Sequence, residues 1–229
     1  MSDLLQKIHT YLQYDLGNFG IAVKALPAAF ITALIYWFVR SKRQKRQLGY
    51  SFKTARKSAR LNEIIRALLV MWAAEVACIT LFPIWFWNSV WNFLIFRISD
   101  FGFMFRSMTF QPWRLIPTLW YMITEPDVFG DLKVNIILEM LANVALFVPL
   151  GLGLPFVLKR ESFVKTFLIG FACTFFIELV QPFISRTGSI DDIISNSLGT
   201  VIGYLLYLVI KAMFPRFVQK GKMTVYSTK

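Results

Sequence analysis

Five long runs of apolar residues, roughly Ala25–Val39, Ile64–Trp87, Val134–Leu158, Phe163–Ile184 and Ile193–Ile210, leave this chain few folds to choose from. A helix needs about 20 apolar residues to cross a bilayer core. Inside lipid every backbone N–H and C=O must be satisfied by the protein itself, so a spanning segment is a helix or part of a closed barrel. A barrel reads as short stretches that alternate apolar and polar residues. These runs are unbroken, so the expected fold is all-α: a polytopic transmembrane helical bundle of about five spans. Composition agrees. Hydrophobic residues fill 56% of the 229 positions and charged residues only 17%, below the ordinary share for a soluble domain. The 23 Phe and seven Trp suit lipid contact and interfacial belts. The first run is short unless it reaches back toward Phe19, with Lys24 snorkelling to the surface. Ahead of it, Leu4, Leu5, Ile8, Tyr11 and Leu12 recur at helical spacing, as in a helix lying on a membrane surface.

Basic residues set the expected orientation. Residues 40–66 hold ten Lys or Arg, which reads as a cytoplasmic loop. Alternation then places Lys159, Arg160 and Lys165 inside, together with Lys211, Arg216, Lys220, Lys222 and Lys229. That puts 18 of the 25 basic residues in the cytoplasm, with the N-terminus outside and the C-terminus inside. The same asymmetry accounts for the net charge of +12, so nucleic acid is not an expected partner. Membrane lipids are, and the 40–60 stretch can hold anionic headgroups. Cys78 and Cys173 each sit in an apolar run outside any Cys-x-x-Cys pair, and read as small buried apolar residues. The only histidine is His9, so no histidine-based metal site is expected and no metal is assigned. The N-terminus has neither a basic n-region nor a small-residue cleavage pattern, so no cleaved signal is expected.

The connection over residues 88–133 is long and rich in aromatics and proline, with Trp91, Phe93, Phe96, Phe101, Trp113 and Trp120 among them. A polar loop has a different composition. Residues 76–96 are uncharged, so either the second helix runs long or an interfacial segment follows it. The expectation is a helix or re-entrant piece lying in the outer leaflet. The chain then divides into four parts: a surface helix, first span and basic loop over 1–63; the second span and aromatic segment over 64–133; a three-helix core over 134–210; and a basic tail over 211–229.

The core carries an unusual concentration of polar groups. Between Glu178 and Asn196 lie one Glu, one Gln, one Arg, two Asp and one Asn, with apolar sequence on both sides. Ionisable groups at the edge of a hydrocarbon layer are expensive to keep and mark a candidate working site. Asn135, Glu139 and Asn143 share one face of the third span at i, i+4, i+8; Glu178 and Gln181 share a face of the fourth; Asp192 and Asn196 share a face of the fifth. All fall at the outer ends under the expected topology, beside Arg186 and Asp191. The candidate ligand-binding set is therefore Glu139, Asn143, Glu178, Gln181, Arg186, Asp191, Asp192 and Asn196, expected as one cluster with Glu178 and Arg186 the closest pair. Plainer roles stand beside this. Ser189-Ile-Asp-Asp reads as a capped helix start with acids in its first turn. Arg186 could neutralise a buried Glu, and Asn143 could bond across helices. Gly199 and Gly203 have the spacing that lets two helices approach closely.

At these residues the chain resembles the VanZ-like family. The resemblance runs over about Val134–Leu208, with an upstream element at Arg114-Leu-Ile-Pro117. Its pieces are Asn143-Val-Ala-Leu-Phe-Val-Pro-Leu-Gly151, Glu178-Leu-Val-Gln181, Arg186, and Asp191-Asp-Ile-Ile-Ser-Asn196-Ser-Leu-Gly199 with Gly203. That family is bacterial and takes its name from a membrane protein linked to teicoplanin resistance. The resemblance implies a cell-envelope role, supplies no catalytic residues to transfer, and leaves any cofactor unknown. Three readings follow. In the first, a non-catalytic protein binds a lipid or lipid-linked cell-wall precursor at the outer face and alters the action of lipoglycopeptides. There Arg186 meets a phosphate or diphosphate, and Trp85–Phe105 holds an acyl chain. In the second, an intramembrane enzyme uses Glu178, Asp191 and Asp192 as acid and base or as oxygen ligands for Mg or Mn. In the third, Glu75, Glu139 and Glu178 carry protons in a small lipid transporter. The first is preferred.

Overall fold

The structure, a computed structural model, describes residues 17–49, 59–82, 84–96, 109–118 and 132–224, with positions 53, 57, 120 and 124. The expected surface helix over Leu4–Leu12, part of the basic stretch and most of the aromatic connection lie outside the described residues. Among the described residues seven α-helices follow in order: α1 Gly17–Leu48, α2 Arg60–Leu81, α3 Ile84–Phe96, α4 Leu132–Val157, α5 Phe163–Val180, α6 Ile190–Met213 and α7 Pro215–Lys222. A 3-10 turn over Gln181–Ile184 extends α5. Five of these segments, Gly20–Leu48, Arg60–Leu81, Val134–Val157, Phe163–Ile184 and Ile190–Met213, are long and apolar enough to cross a membrane. These are the five runs read from the sequence, and no strand forms among the described residues.

Two boundaries and one side chain differ from expectation. First, α1 does not stop at Val39; it continues to Leu48, so Arg40 through Arg46 lie on helix rather than in a loop. Lys, Arg and Gln are good helix formers, and cations in a last turn complement the helix dipole. Gly49, at φ +53, then breaks the helix in the left-handed conformation glycine tolerates best. Arg40 donates to both carboxylate oxygens of Glu63, at 2.6 and 3.0 Å, and Gln44 Nε2 donates to Oε1 at 3.0 Å. These bonds fasten α1 to α2 at their basic end. Second, the run Ile64–Trp87 is two helices. Phe82 is extended, with φ −115 and ψ 113, as the residue before Pro83 is biased to be. The second helix therefore does not run long; a separate helix, α3, follows it. Third, Lys24 does not snorkel. It is buried, and its ammonium donates to Asn88 Oδ1 on α3 at 2.8 Å.

The bundle closes around Val76, Phe147, Leu150 and Ile177, with Trp72 packed edge-on against Phe147. Helices α4 and α6 touch backbone to backbone. A Cβ on Gly199 would lie 2.1 Å from the Val144 carbonyl oxygen, and one on Gly203 2.2 Å from that of Val148. Only a residue without a side chain permits this approach, as the spacing suggested. At the basic end, α7 is an amphipathic helix within what reads in the sequence as a tail. Val218 packs beside Phe156 and Tyr207. Asn62, fully buried on α2, donates to Phe156 O at 3.0 Å and Gly221 O at 2.6 Å. Glu161 accepts from Tyr207, Lys211 and Lys222. These donors, Lys211 foremost, hold its carboxyl down to about 2. Large apolar side chains such as Phe30, Phe38, Leu141, Phe176 and Leu205 stay exposed around the outside, which suits a lipid-facing surface.

Candidate functional site

The polar residues of the sequence gather at the opposite end of the bundle, where α5 gives way to α6. Pro182 stands second in the 3-10 turn, Ser185 turns the chain back at φ 61, and Ser189 starts α6. Ser189 Oγ accepts from Asp191 N at 3.2 Å, the bond an N-cap makes. Ser189 N in turn donates to Glu178 Oε2 at 2.8 Å, so the carboxylate of α5 fixes the entry to α6.

A second segment crosses this link. Residues 109–117 form no helix. Gln111 N donates to Pro182 O at 3.0 Å, Arg114 N to Gly188 O at 2.8 Å, and Ile190 N to Arg114 O at 3.2 Å. Arg114 and Ser189 thus form an isolated parallel bridge. Thr118 N then donates to Asp191 Oδ2 at 2.7 Å. This strap and the link satisfy each other's backbone groups.

Beneath the strap, α4 and α6 leave a cleft of about 210 Å³. Three of the expected site residues line it: Glu139, Asp191 and Asp192. Asn143 belongs to the same group through its amide, which donates to Asp192 Oδ1 at 2.7 Å. Arg114, Thr118, Thr187 and Ser189 complete the polar lining, with Ile136 and Met140 on the α4 wall. Of these, only Arg114, as part of the upstream Arg-Leu-Ile-Pro element, and Ser189, as a helix cap, carried any sequence signal. Nothing in the periodicity of the chain brings residue 114 to residue 189. Among the described residues no group of three or more His, Cys, Asp or Glu side chains is arranged to hold a metal ion.

The other expected members do not line the cleft. Glu178 is buried and held by Ser189 N. Asn196 Nδ2 donates to Thr174 Oγ1 at 2.9 Å, joining α6 to α5. Arg186 forms no ion pair with Glu178 among the described residues. Its guanidinium donates to Ile79 O at 2.8 Å and Thr80 O at 3.4 Å, while Gln181 Nε2 also reaches Thr80 O at 3.4 Å. Trp87 Nε1 donates to Cys78 O at 3.0 Å. These carbonyls belong to the last turn of α2, where no intrahelical donor remains. Arg186 is therefore a positive cap on a helix C-terminus, which the helix dipole also favours. Burial lowers its pKa from the ordinary arginine value, and nearby Glu178 and Asp192 push it back up.

No curated protein and no solved structure matches this chain. The sequence model described as VanZ/LLP1 matches residues 28–211, well over half of the 229 and reaching into the first two spans that the resemblance had left out. With its five membrane-length helices, the chain is a multi-pass membrane protein and belongs to the VanZ/LLP1 family.

Proposed function

We propose that the protein binds the polar headgroup of a lipid, or of a lipid-linked cell-wall precursor, in the cleft beneath the strap, on the outer face of the cell membrane. The observation that carries this reading is the exposed Arg114 side chain at a cleft whose α4 wall sets Ile136 and Met140 beside Glu139. Arginine is always charged and presents a planar fork suited to phosphate oxygens. Arg114, rather than Arg186, has this role, because the Arg186 guanidinium already serves the end of α2. Acyl chains would lie along the exposed apolar faces beside the cleft. The outer placement rests on the basic residues gathered at the other end of the bundle. Sequestering an envelope lipid there would change how teicoplanin-type lipoglycopeptides reach their targets.

The test has two readouts. Purified protein should bind anionic phospholipid in detergent, and Arg114→Gln should weaken binding by about tenfold, the scale of one charge-assisted hydrogen bond. Expressed in a teicoplanin-sensitive host, the wild type should shift susceptibility, and Arg114→Gln at equal membrane level should not. Unchanged lipid binding by the variant would remove the cleft from the reading.

A further inference from the structure

The cleft brings together a free cation and a free anion that do not neutralise each other. Among the described residues, neither the Arg114 nor the Glu139 side chain makes a hydrogen bond or ion pair, yet both are exposed and line the same cavity. The remaining carboxylates are engaged: Asp192 by Asn143, and Asp191 by Thr118 N. Opposite charges beside a low-dielectric layer attract strongly, so a pair left open in one cleft favours a ligand with both signs. Resting on the headgroup reading above, we infer that the preferred ligand is zwitterionic, a phosphate joined by a short linker to a primary amine. The phosphate meets Arg114. The ammonium, with three donors, meets Glu139. A quaternary amine has no N–H to donate and fits less well.

Full-length protein is titrated with phosphatidylethanolamine, phosphatidylcholine and phosphatidylglycerol in one detergent, and bound lipid is counted by native mass spectrometry. Phosphatidylethanolamine should bind about tenfold more tightly than phosphatidylglycerol. Glu139→Gln should erase that preference, weakening phosphatidylethanolamine binding and, by removing a negative charge from the cleft, strengthening phosphatidylglycerol binding. Both positions are exposed, so the variants should fold; equal thermal stability is the check. Soluble glycerophosphoethanolamine should compete with the lipid, weakly, if the headgroup carries the recognition. Equal binding of phosphatidylethanolamine and phosphatidylglycerol, with both dependent on Arg114, would overturn the zwitterion inference and leave the headgroup reading standing. Independence of both lipids from Arg114 would overturn the two together.

Discussion

Replacing Gly199 with alanine should do more harm than one methyl group suggests. The new Cβ would lie 2.1 Å from the Val144 carbonyl oxygen, about 1.3 Å inside ordinary 3.4 Å contact. Its neighbour is backbone, so no rotamer change relieves the clash and α4 must move away from α6. Overpacking of this kind costs about 1–3 kcal/mol. The Asn143–Asp192 bond, now 2.7 Å, bridges the same interface one residue from Val144. Opening by about 1 Å takes it beyond hydrogen-bonding range, a further loss of about 0.6 kcal/mol for a cross-helix bond in a membrane. Gly199→Ala should therefore destabilise the protein by about 2–4 kcal/mol, measured as unfolding in mixed micelles of increasing SDS. A double-mutant cycle checks the cause. Asn143→Ala should destabilise the wild type but have almost no effect in the Gly199→Ala background. Gly153→Ala is the contrast: its Cβ would meet the tip of Leu69 at 2.7 Å, a side chain that can turn aside. Additive effects of Gly199→Ala and Asn143→Ala, or a Gly199→Ala protein as stable as wild type, would refute the close-contact argument.

Three further outcomes are expected. Arg186→Gln should lower stability by about 1–3 kcal/mol, because it strands carbonyls at the end of α2; the folded fraction should bind lipid as the wild type does. Glu161→Gln should raise hydrogen exchange across 215–222 without affecting the cleft. With its folded value near 2 and an ordinary value of about 4.3, Glu161 should protect α7 fully above about pH 4.3 and progressively less as the pH falls toward 2. In a background without Cys78 and Cys173, an impermeant thiol reagent on whole cells should label Thr187→Cys and not Lys159→Cys; the reverse pattern would invert the proposed topology.

The sequence made the spans legible because each depends on local composition, and a run such as Phe163–Ile184 can be little else. Helix faces were equally legible: Asn143 and Asp192 do meet, Ser189 does cap α6, and Gly199 does admit α4. What stayed hidden were contacts between backbone and distant side chains, which leave no periodic trace. Arg186 was expected beside Glu178 because opposite charges are the visible signal, whereas the open carbonyls of Ile79 and Thr80 exist only once Pro83 has ended the run. Arg114 reaches the site through a two-residue backbone bridge that no hydrophobic pattern announces. The docking of α7 depends on Asn62, far away in sequence on α2, so the segment read only as a basic tail.

The central claim is tested most directly by an experimental structure of the protein in lipid nanodiscs containing phosphatidylethanolamine, resolved well enough to place headgroups. A lipid phosphate within hydrogen-bonding distance of the Arg114 guanidinium, with its amine toward Glu139, is the expected result. Ordered lipid elsewhere on the bundle, with only water between Arg114 and Glu139, would contradict it.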